Sequence, residues 1–256
     1  MGDDFLKVDT LEVHTSLGPA RLPILYADST AVLAFFWVDL DRARRALDGT
    51  GLEPLRLPGR RVLLGLAFFD HRETTIGPYH EVGSALAVVP AGAPASGLAA
   101  LELLRGGKRR RAGFRLLDLP VSTPFADAGG RELWGFPKFL TELPLQVEAG
   151  TFEGQVLEPG GTAPVLTLSG TVRWRWPGPS LDLMFYTQLG GRSLRTVMDV
   201  RGPFRFSGGG GLRMELGPGR HRMAETLRDL GLDGARPFAA ACCHRLRARL
   251  HEGVPA

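Results

Sequence analysis

The stretch Arg131-Glu132-Leu133-Trp134-Gly135-Phe136-Pro137-Lys138-Phe139-Leu140 sets one lysine among aromatic and apolar neighbours. An ammonium is costly to desolvate and is almost never fully buried without a partner. Two readings are open: the side chain snorkels out along its methylenes, or the chain holds an amine in a dry place. If residues 138–148 form a strand, Phe139, Thr141, Leu143, Leu145 and Val147 share one face, and Lys138, Leu140 and Glu142 take the other. Lys138 would then face a cavity while Phe139 fills the core behind it. Burial in such a cavity disfavours the ammonium. A neutral amine attacks a ketone or aldehyde to give a Schiff base, whose protonated form draws electrons from a neighbouring bond to carbon.

A second chemical residue lies in Tyr79–Pro90. With a period of two, one face carries Tyr79, Glu81, Gly83, Ala85, Ala87 and Val89, and the other carries His80, Val82, Ser84, Leu86 and Val88. Both faces are mostly apolar, so the strand should be buried on both sides. Glu81 then heads a row of small residues that leave open volume, as the floor of a pocket would. The competing reading is that Gly83, Ala85 and Ala87 let another layer pack close and that Glu81 pairs with an arginine.

The elements that must position these two residues read as mostly β. Glycine (34) and proline (19) punctuate short apolar runs along the whole chain, the pattern of many strands joined by turns. Strands are expected at 62–69, 79–90, 113–121, 139–148, 151–158, 163–176, 180–189, 194–206 and 211–216, the last two being the final sheet segments. Three helices are expected. The first follows Asp39 as its cap, with Leu40, Ala43 and Leu47 in phase and Gly49 as its end. The second spans 123–134, and the third has Met223, Leu227 and Leu230 on one face. No linker or repeat interrupts the chain, so residues 1–256 are expected to form a single domain.

Several function classes drop out. The net charge is +4, and the one dense basic run, Gly-Gly-Lys-Arg-Arg-Arg-Ala-Gly at 106–113, is read as a solvated hairpin tip. No aromatic platform accompanies it, so no nucleic-acid partner is expected. The start lacks the basic and apolar segments of a signal peptide, and the apolar stretch from Leu22 to Leu40 is broken by Asp28, Ser29, Thr30 and Asp39. A cytoplasmic protein without a membrane partner follows as the expectation. Cys242 and Cys243 are adjacent and read as reduced thiols. The six histidines have no metal-ligand spacing, and no metal site is expected. Ser207–Gly211 is read as a flexible hairpin loop, since a phosphate loop would need a following Lys-Ser/Thr.

The segment Arg131–Leu140 resembles the active-site segment of the acetoacetate decarboxylase family, in which an Arg-Glu-Leu-x-x-aromatic-Pro-Lys run carries the Schiff-base lysine. Lys138 matches that lysine. Residues 68–89 resemble the family's second signature, where a Tyr-x-Glu strand supplies an acidic catalytic residue, and Glu81 matches it. The family's Asp-x-Asp helix after a strand also has its counterpart, at Val38–Leu47. The resemblance implies a double-layered, mostly antiparallel β structure with a closed, cone-like barrel, assembled as a homo-oligomer. Two departures stand out. The decarboxylase proper has a second lysine directly after the first, a neighbouring cation that disfavours the ammonium and so activates the amine, and here that place is Phe139. Its active-site arginine, on the strand before the Asp-x-Asp helix, is replaced by Ser29.

The resulting expectation is a Schiff-base-forming lyase acting on small keto acids or ketones without a cofactor. Lys138 would be the nucleophile and Glu81 the proton shuttle, with Tyr79, Trp134, Phe136 and Ser29 binding substrate. Loss of both cations leans toward the aldolase-dehydratases of the wider superfamily, although the iminium would also serve a decarboxylation. The alternative is a small-molecule-binding protein on the same fold, in which Lys138 pairs with a ligand carboxylate or with Glu81.

Overall fold

A strand that is apolar on both faces needs a protein layer on each side, and a closed barrel wrapped by a second layer supplies both. The computed structural model describes residues 4–95, 103, 110–148, 150–180 and 182–256. The chain opens with the hairpin β1 (Leu11–Thr15) and β2 (Gly18–Leu22), then runs through β3 (Ile24–Asp39) into helix α1 (Leu40–Ala46). The short β4 (Leu52–Pro54) and β5 (Arg56–Leu57) lead to β6 (Arg61–Thr74), β7 (Tyr79–Pro90) and β8 (Gly113–Val121). Helix α2 (Pro124–Trp134) precedes β9 (Lys138–Leu140), β10 (Leu145–Glu148), β11 (Thr151–Leu157) and β12 (Pro164–Thr171). Next come β13 (Trp176–Gly178), β14 (Leu183–Leu189), β15 (Arg192–Arg201), β16 (Phe204–Ser207) and β17 (Leu212–Leu216). Helix α3 (Arg222–Asp229) and β18 (Ala239–Pro255) complete the chain.

Seven strands close into a barrel in the order β18-β15-β14-β8-β7-β6-β3, with β3 returning to β18. Pairing is antiparallel except where β8 meets β14 and β9. The second sheet, β10-β11-β12-β17, lies against the outside of β3, β6 and β7. There Val32, Phe36, Leu64, Leu66, Phe68 and Leu86 form one apolar cluster with Phe152, Val156, Leu166, Leu168 and Met214, and with the apolar faces of α1 and α3. Gly154 of β11 sits over Phe68, where a Cβ would come within 2.6 Å of the ring. Phe68 in turn meets Phe152 edge to face at 5.3 Å. Inward side chains of the barrel strands, among them Tyr26, Phe69, Leu116, Leu119 and Met198, form a separate cluster inside the barrel. Doubly apolar strands thus have their two layers. Among the described residues no helix is long and apolar enough to cross a membrane.

The strands at 79–90 and 113–121 and all three helices stand where the sequence puts them. Several expectations need correction. The segment 163–176 is not one strand: β12 ends at Thr171 in the outer sheet, and β13 begins at Trp176 in the sheet that forms the barrel. Residues 138–148 are not one strand: β9 belongs to the barrel, β10 to the outer sheet, and Thr141–Pro144 is the extended crossing between them. The alternation survives the crossing, with Thr141 and Leu143 buried and Glu142 and Pro144 exposed. The segment 194–206 is two strands, broken at Gly202-Pro203. Ser207–Gly211 is no hairpin, because β16 and β17 belong to different sheets and the glycines carry the chain from one to the other. Finally, the sheet does not end at 216. The 17-residue β18 is the strand that closes the barrel, and its Leu246, Ala248 and Leu250 point inward while Arg245, Arg247 and Arg249 point out. Of the basic run, Lys108 and Arg109 lie outside the described residues. Arg110 is buried and donates to the carbonyls of Leu103 and Asp182, so it is not part of a solvated tip.

The join between barrel and outer layer carries one buried acid. Asp118 of β8 is fully buried, accepts from the Arg222 guanidinium at the start of α3 through Oδ1, and leaves Oδ2 without a partner. Burial pushes its carboxyl up to about 7 against the pull of Arg222. A raised acid favours the folded state while protonated, so this contribution is complete below the ordinary value of 3.8 and is lost as pH rises through about 7. Asp118→Asn should therefore gain stability over the parent at pH 8.5, by roughly 1–3 kcal/mol, and little or nothing at pH 4. Thermal melts of both proteins at the two pH values check this.

Candidate active site

The cavity in the barrel follows from residue size across two paired strands. In the β6–β7 register Gly65 faces Ala85, Ala67 faces Gly83, and Phe69 faces Glu81. The first two pairs project at most a methyl group into the barrel, so the space above them stays open; a Cβ on Gly65 would meet nothing within 4 Å. Around this floor stand Leu33, Phe35, Phe114, Leu116, Phe136, Phe185 and Met198, and the enclosed volume is about 100 Å³. Glu81, Lys138 and Tyr26 bring the polar side chains to this lining.

Lys138 reaches the cavity because of how α2 ends. Gly135 adopts the left-handed conformation at φ 64°, its N–H donates to the Arg131 carbonyl, and the Phe136 N–H donates to the Gly130 carbonyl. These are the paired bonds of a Schellman ending. Gly135 is required twice over, since a Cβ would also strike the Gln188 carbonyl oxygen. Around Pro137 the Lys138 N–H closes a tight turn onto the Phe136 carbonyl. The chain then doubles back beneath the helix and pairs with β8, Lys138 opposite Leu119. The lysine stem lies against Gly130, where a Cβ would come within 2.4 Å of its Cδ and Cε. Phe139 points the other way, toward the outer layer and the His221 ring.

The Lys138 ammonium donates to Glu81 Oε2 at 2.7 Å, with the two side chains only 6 % and 13 % exposed. This settles the snorkelling question in favour of the dry position. Nζ also lies 5.7 Å from the centre of the Tyr79 ring. Behind the pair is an aromatic box. The Tyr26 and Tyr79 hydroxyls are 3.1 Å apart, and His71 is packed against both rings and stacked on Phe69. Burial, reinforced by the Glu81 charge, raises both phenols above their ordinary range, so both stay protonated as neutral donors. Burial first, and the nearby Lys138 charge second, hold His71 well below its ordinary value, so it is uncharged. Its Nδ1 is hydrogen-bonded with Ser29 Oγ at 2.8 Å, while Nε2 is buried without a partner.

The structure therefore brings Lys138, Glu81 and Phe136 to one cavity. Tyr79 and Trp134 line a smaller space of about 20 Å³ on the α2 side of Lys138, with the Trp134 indole donating to the His251 carbonyl. Ser29 is fully buried behind His71 and does not line the cavity. No arginine lines it among the described residues. Sequence reasoning missed Tyr26, which borders both spaces, and His71. The first omission follows from β3, since residues 24–39 are not among the strands expected from sequence; register shifts between Tyr26 and Ser29 also change the inward phase from Ile24 and Tyr26 to Ala31, Leu33 and Phe35. Among the described residues no three His, Cys, Asp or Glu side chains converge as a metal-binding set.

Gly130 offers a specific check. Alanine is the better helix former by about 1 kcal/mol, but its methyl group would push the lysine stem off the helix. Gly130→Ala should keep or slightly raise the melting temperature while moving the Lys138 ammonium out of contact with Glu81. Melting curves and a crystal structure of the variant measure both effects.

The profile of the family described as acetoacetate decarboxylase matches residues 11–206. Among curated proteins none matches the sequence. Among solved structures the fold is similar to acetoacetate decarboxylase from Legionella pneumophila, at 17 % identity and a TM-score of 0.66, covering 91 % of this chain and 87 % of that one. It is also similar to the enduracididine biosynthesis enzyme MppR complexed with pyruvate, at 17 % identity and a TM-score of 0.64, covering 96 % and 98 %. A third likeness is to an acetoacetate decarboxylase-like enzyme from Sphingomonas wittichii RW1, at 12 % identity and a TM-score of 0.60, covering 91 % and 93 %.

Proposed function

We propose that this chain, which belongs to the acetoacetate decarboxylase family, is a lyase that works through a Schiff base on Lys138. The observation that carries the proposal is the Lys138–Glu81 contact of 2.7 Å at the wall of an otherwise apolar cavity. The proton that the ammonium must shed before it can attack has an acceptor within hydrogen-bond reach. The neutral amine adds to the carbonyl carbon, forming a C–N bond. Two proton transfers then expel the carbonyl oxygen as water and leave an iminium. The iminium accepts the electron pair of a C–H or C–C bond broken at the neighbouring carbon and becomes an enamine, and Glu81 takes or returns the proton at that carbon; in a dehydration the enamine pair then expels a hydroxyl from the next carbon, which leaves with its bonding pair and a proton as water. Addition of water to the iminium releases product and restores the amine. No cofactor enters this sequence, because the lysine itself supplies the electron sink.

Tyr26, a neutral donor at the cavity edge, is placed in this reading to hold the carbonyl oxygen or the leaving hydroxyl. Phe136 walls the cavity, Tyr79 and Trp134 fix the lysine from the α2 side, and Ser29 orients His71 rather than substrate. Among the described residues no arginine lines the cavity, which favours aldol or dehydration chemistry over decarboxylation of a charged β-keto acid. MppR, seen with pyruvate and with the condensation product of pyruvate and imidazole 4-carboxaldehyde, is the precedent on this fold. The reading takes residues 1–256 as one domain of a cytoplasmic protein, and the family resemblance adds assembly as a homo-oligomer.

Exchange of α-protons tests the chemistry without the natural substrate. In D2O the protein should catalyse deuterium incorporation into simple ketones or aldehydes, followed by proton NMR. Lys138→Ala should abolish this, and Glu81→Gln should slow it roughly 10²- to 10⁴-fold. Ketones and aldehydes that bind without exchange in the parent would support the competing reading, a binding protein in which the ion pair never opens.

A further inference from the structure

The cavity at Lys138 is not the end of the barrel's open space. A second cavity of about 110 Å³ adjoins it, and the two share Leu33, Phe35, Phe69, Phe114, Leu183 and Met198 as their common wall. Beyond that wall the second cavity is lined by apolar side chains such as Leu63, Val200 and Ala241. The polar groups at its far end are already engaged. Arg110 donates to the carbonyls of Leu103 and Asp182, and the Asp182 carboxylate accepts from the Val200 N–H and the Arg201 guanidinium.

Size and polarity together select a ligand class. An apolar cavity of about 150 Å³ holds one benzene ring, so the Lys138 cavity alone takes little more than a reacting carbonyl and its immediate substituents. A carboxylate on the side away from Lys138 would be set against leucine, phenylalanine and methionine; among the described residues the one cation lining that side is Arg110, already held by the Leu103 and Asp182 carbonyls, so desolvation of the carboxylate would go largely uncompensated. An alkyl or aryl tail placed there exchanges water for those same side chains and restores contacts that an empty apolar space forgoes.

We infer that the substrate is a ketone or aldehyde bearing an apolar tail, its carbonyl at Lys138 and its tail in the second cavity, rather than a short keto acid. The inference deepens the Schiff-base reading and rests on it for the placement of the carbonyl. The tail runs from the Gly65–Ala85 floor past Met198 toward Ala241, and the shared wall sets its direction.

The test is a homologous series of methyl ketones from acetone to 2-nonanone, with pyruvate as the charged control, measured by calorimetry and by borohydride trapping. Affinity should rise about two- to fourfold per added methylene, and pyruvate should trap least. Ala241→Leu narrows the second cavity and should flatten the rise for the longer ketones. Leu63→Phe is the second variant, serving should the first not fold. Calorimetry on Lys138→Ala separates the two ideas. A rise with tail length that survives in this variant, with no adduct on the parent, upholds the tail cavity and sinks the Schiff base. Adducts on Lys138 that form equally well at every length, or best with pyruvate, uphold the Schiff base and overturn the tail.

Discussion

An ammonium and a carboxylate 2.7 Å apart in a nearly dry space constrain everything around them. Each would be costly to bury alone. Together they are tolerated, but only if the backbone brings the two positions to one place and keeps water from competing. Two separate pieces of chain meet that demand here. Glu81 is fixed by the β6–β7 ladder opposite Phe69. Lys138 is fixed by the reversal at Gly135 and by its pairing opposite Leu119 of β8. Neither residue has freedom to wander, so the pair is set by the barrel itself rather than by a mobile loop.

The barrel also explains why the pair has room beside it. Gly65, Ala67, Gly83 and Ala85 occupy consecutive inward positions on neighbouring strands, and the space over Gly65 is open while Leu119 borders Gly83. The outer faces of these same strands carry Leu64, Leu66, Phe68, Val82 and Leu86, packed under the second sheet. Stability and cavity are thus assigned to opposite faces of one pair of strands. The outer face supplies the tight packing that holds the barrel closed, and the inner face forgoes it to leave space for a ligand. His71, Tyr26 and Tyr79, all uncharged, surround the ion pair without adding a competing charge.

Much of this could be read from the residues. The period of two in Tyr79–Pro90 separates the small inward set from the large outward set, and Glu81 falls in the former. The apolar company of Lys138, taken with the resemblance of Arg131–Leu140 to the family segment, points to the dry lysine. What could not be read is the meeting of the two, which depends on a helix ending and a parallel β8–β9 contact far from Glu81 in the chain. Tyr26 escaped notice because residues 24–39, broken by Asp28, Ser29 and Thr30, do not read as a strand, and the bulge in β3 leaves no single alternation to mark it. The closing strand β18 was overlooked although Leu246, Ala248 and Leu250 alternate with three arginines, because its charged outer positions mask a narrow apolar inner row. The outer sheet was misjudged at Thr141–Pro144, where a continuous alternation of burial spans a change of sheet.

The chain has three lysines, Lys7, Lys108 and Lys138, which makes its central claim open to direct measurement. Protein held at pH 7 with a methyl ketone and sodium borohydride should acquire one stable alkyl adduct per chain. Peptide mapping by mass spectrometry should place it on Lys138, with the other two lysines unmodified. Adducts spread over Lys7 and Lys108, or none on Lys138 in folded protein across ketones and aldehydes of every length, would contradict the account.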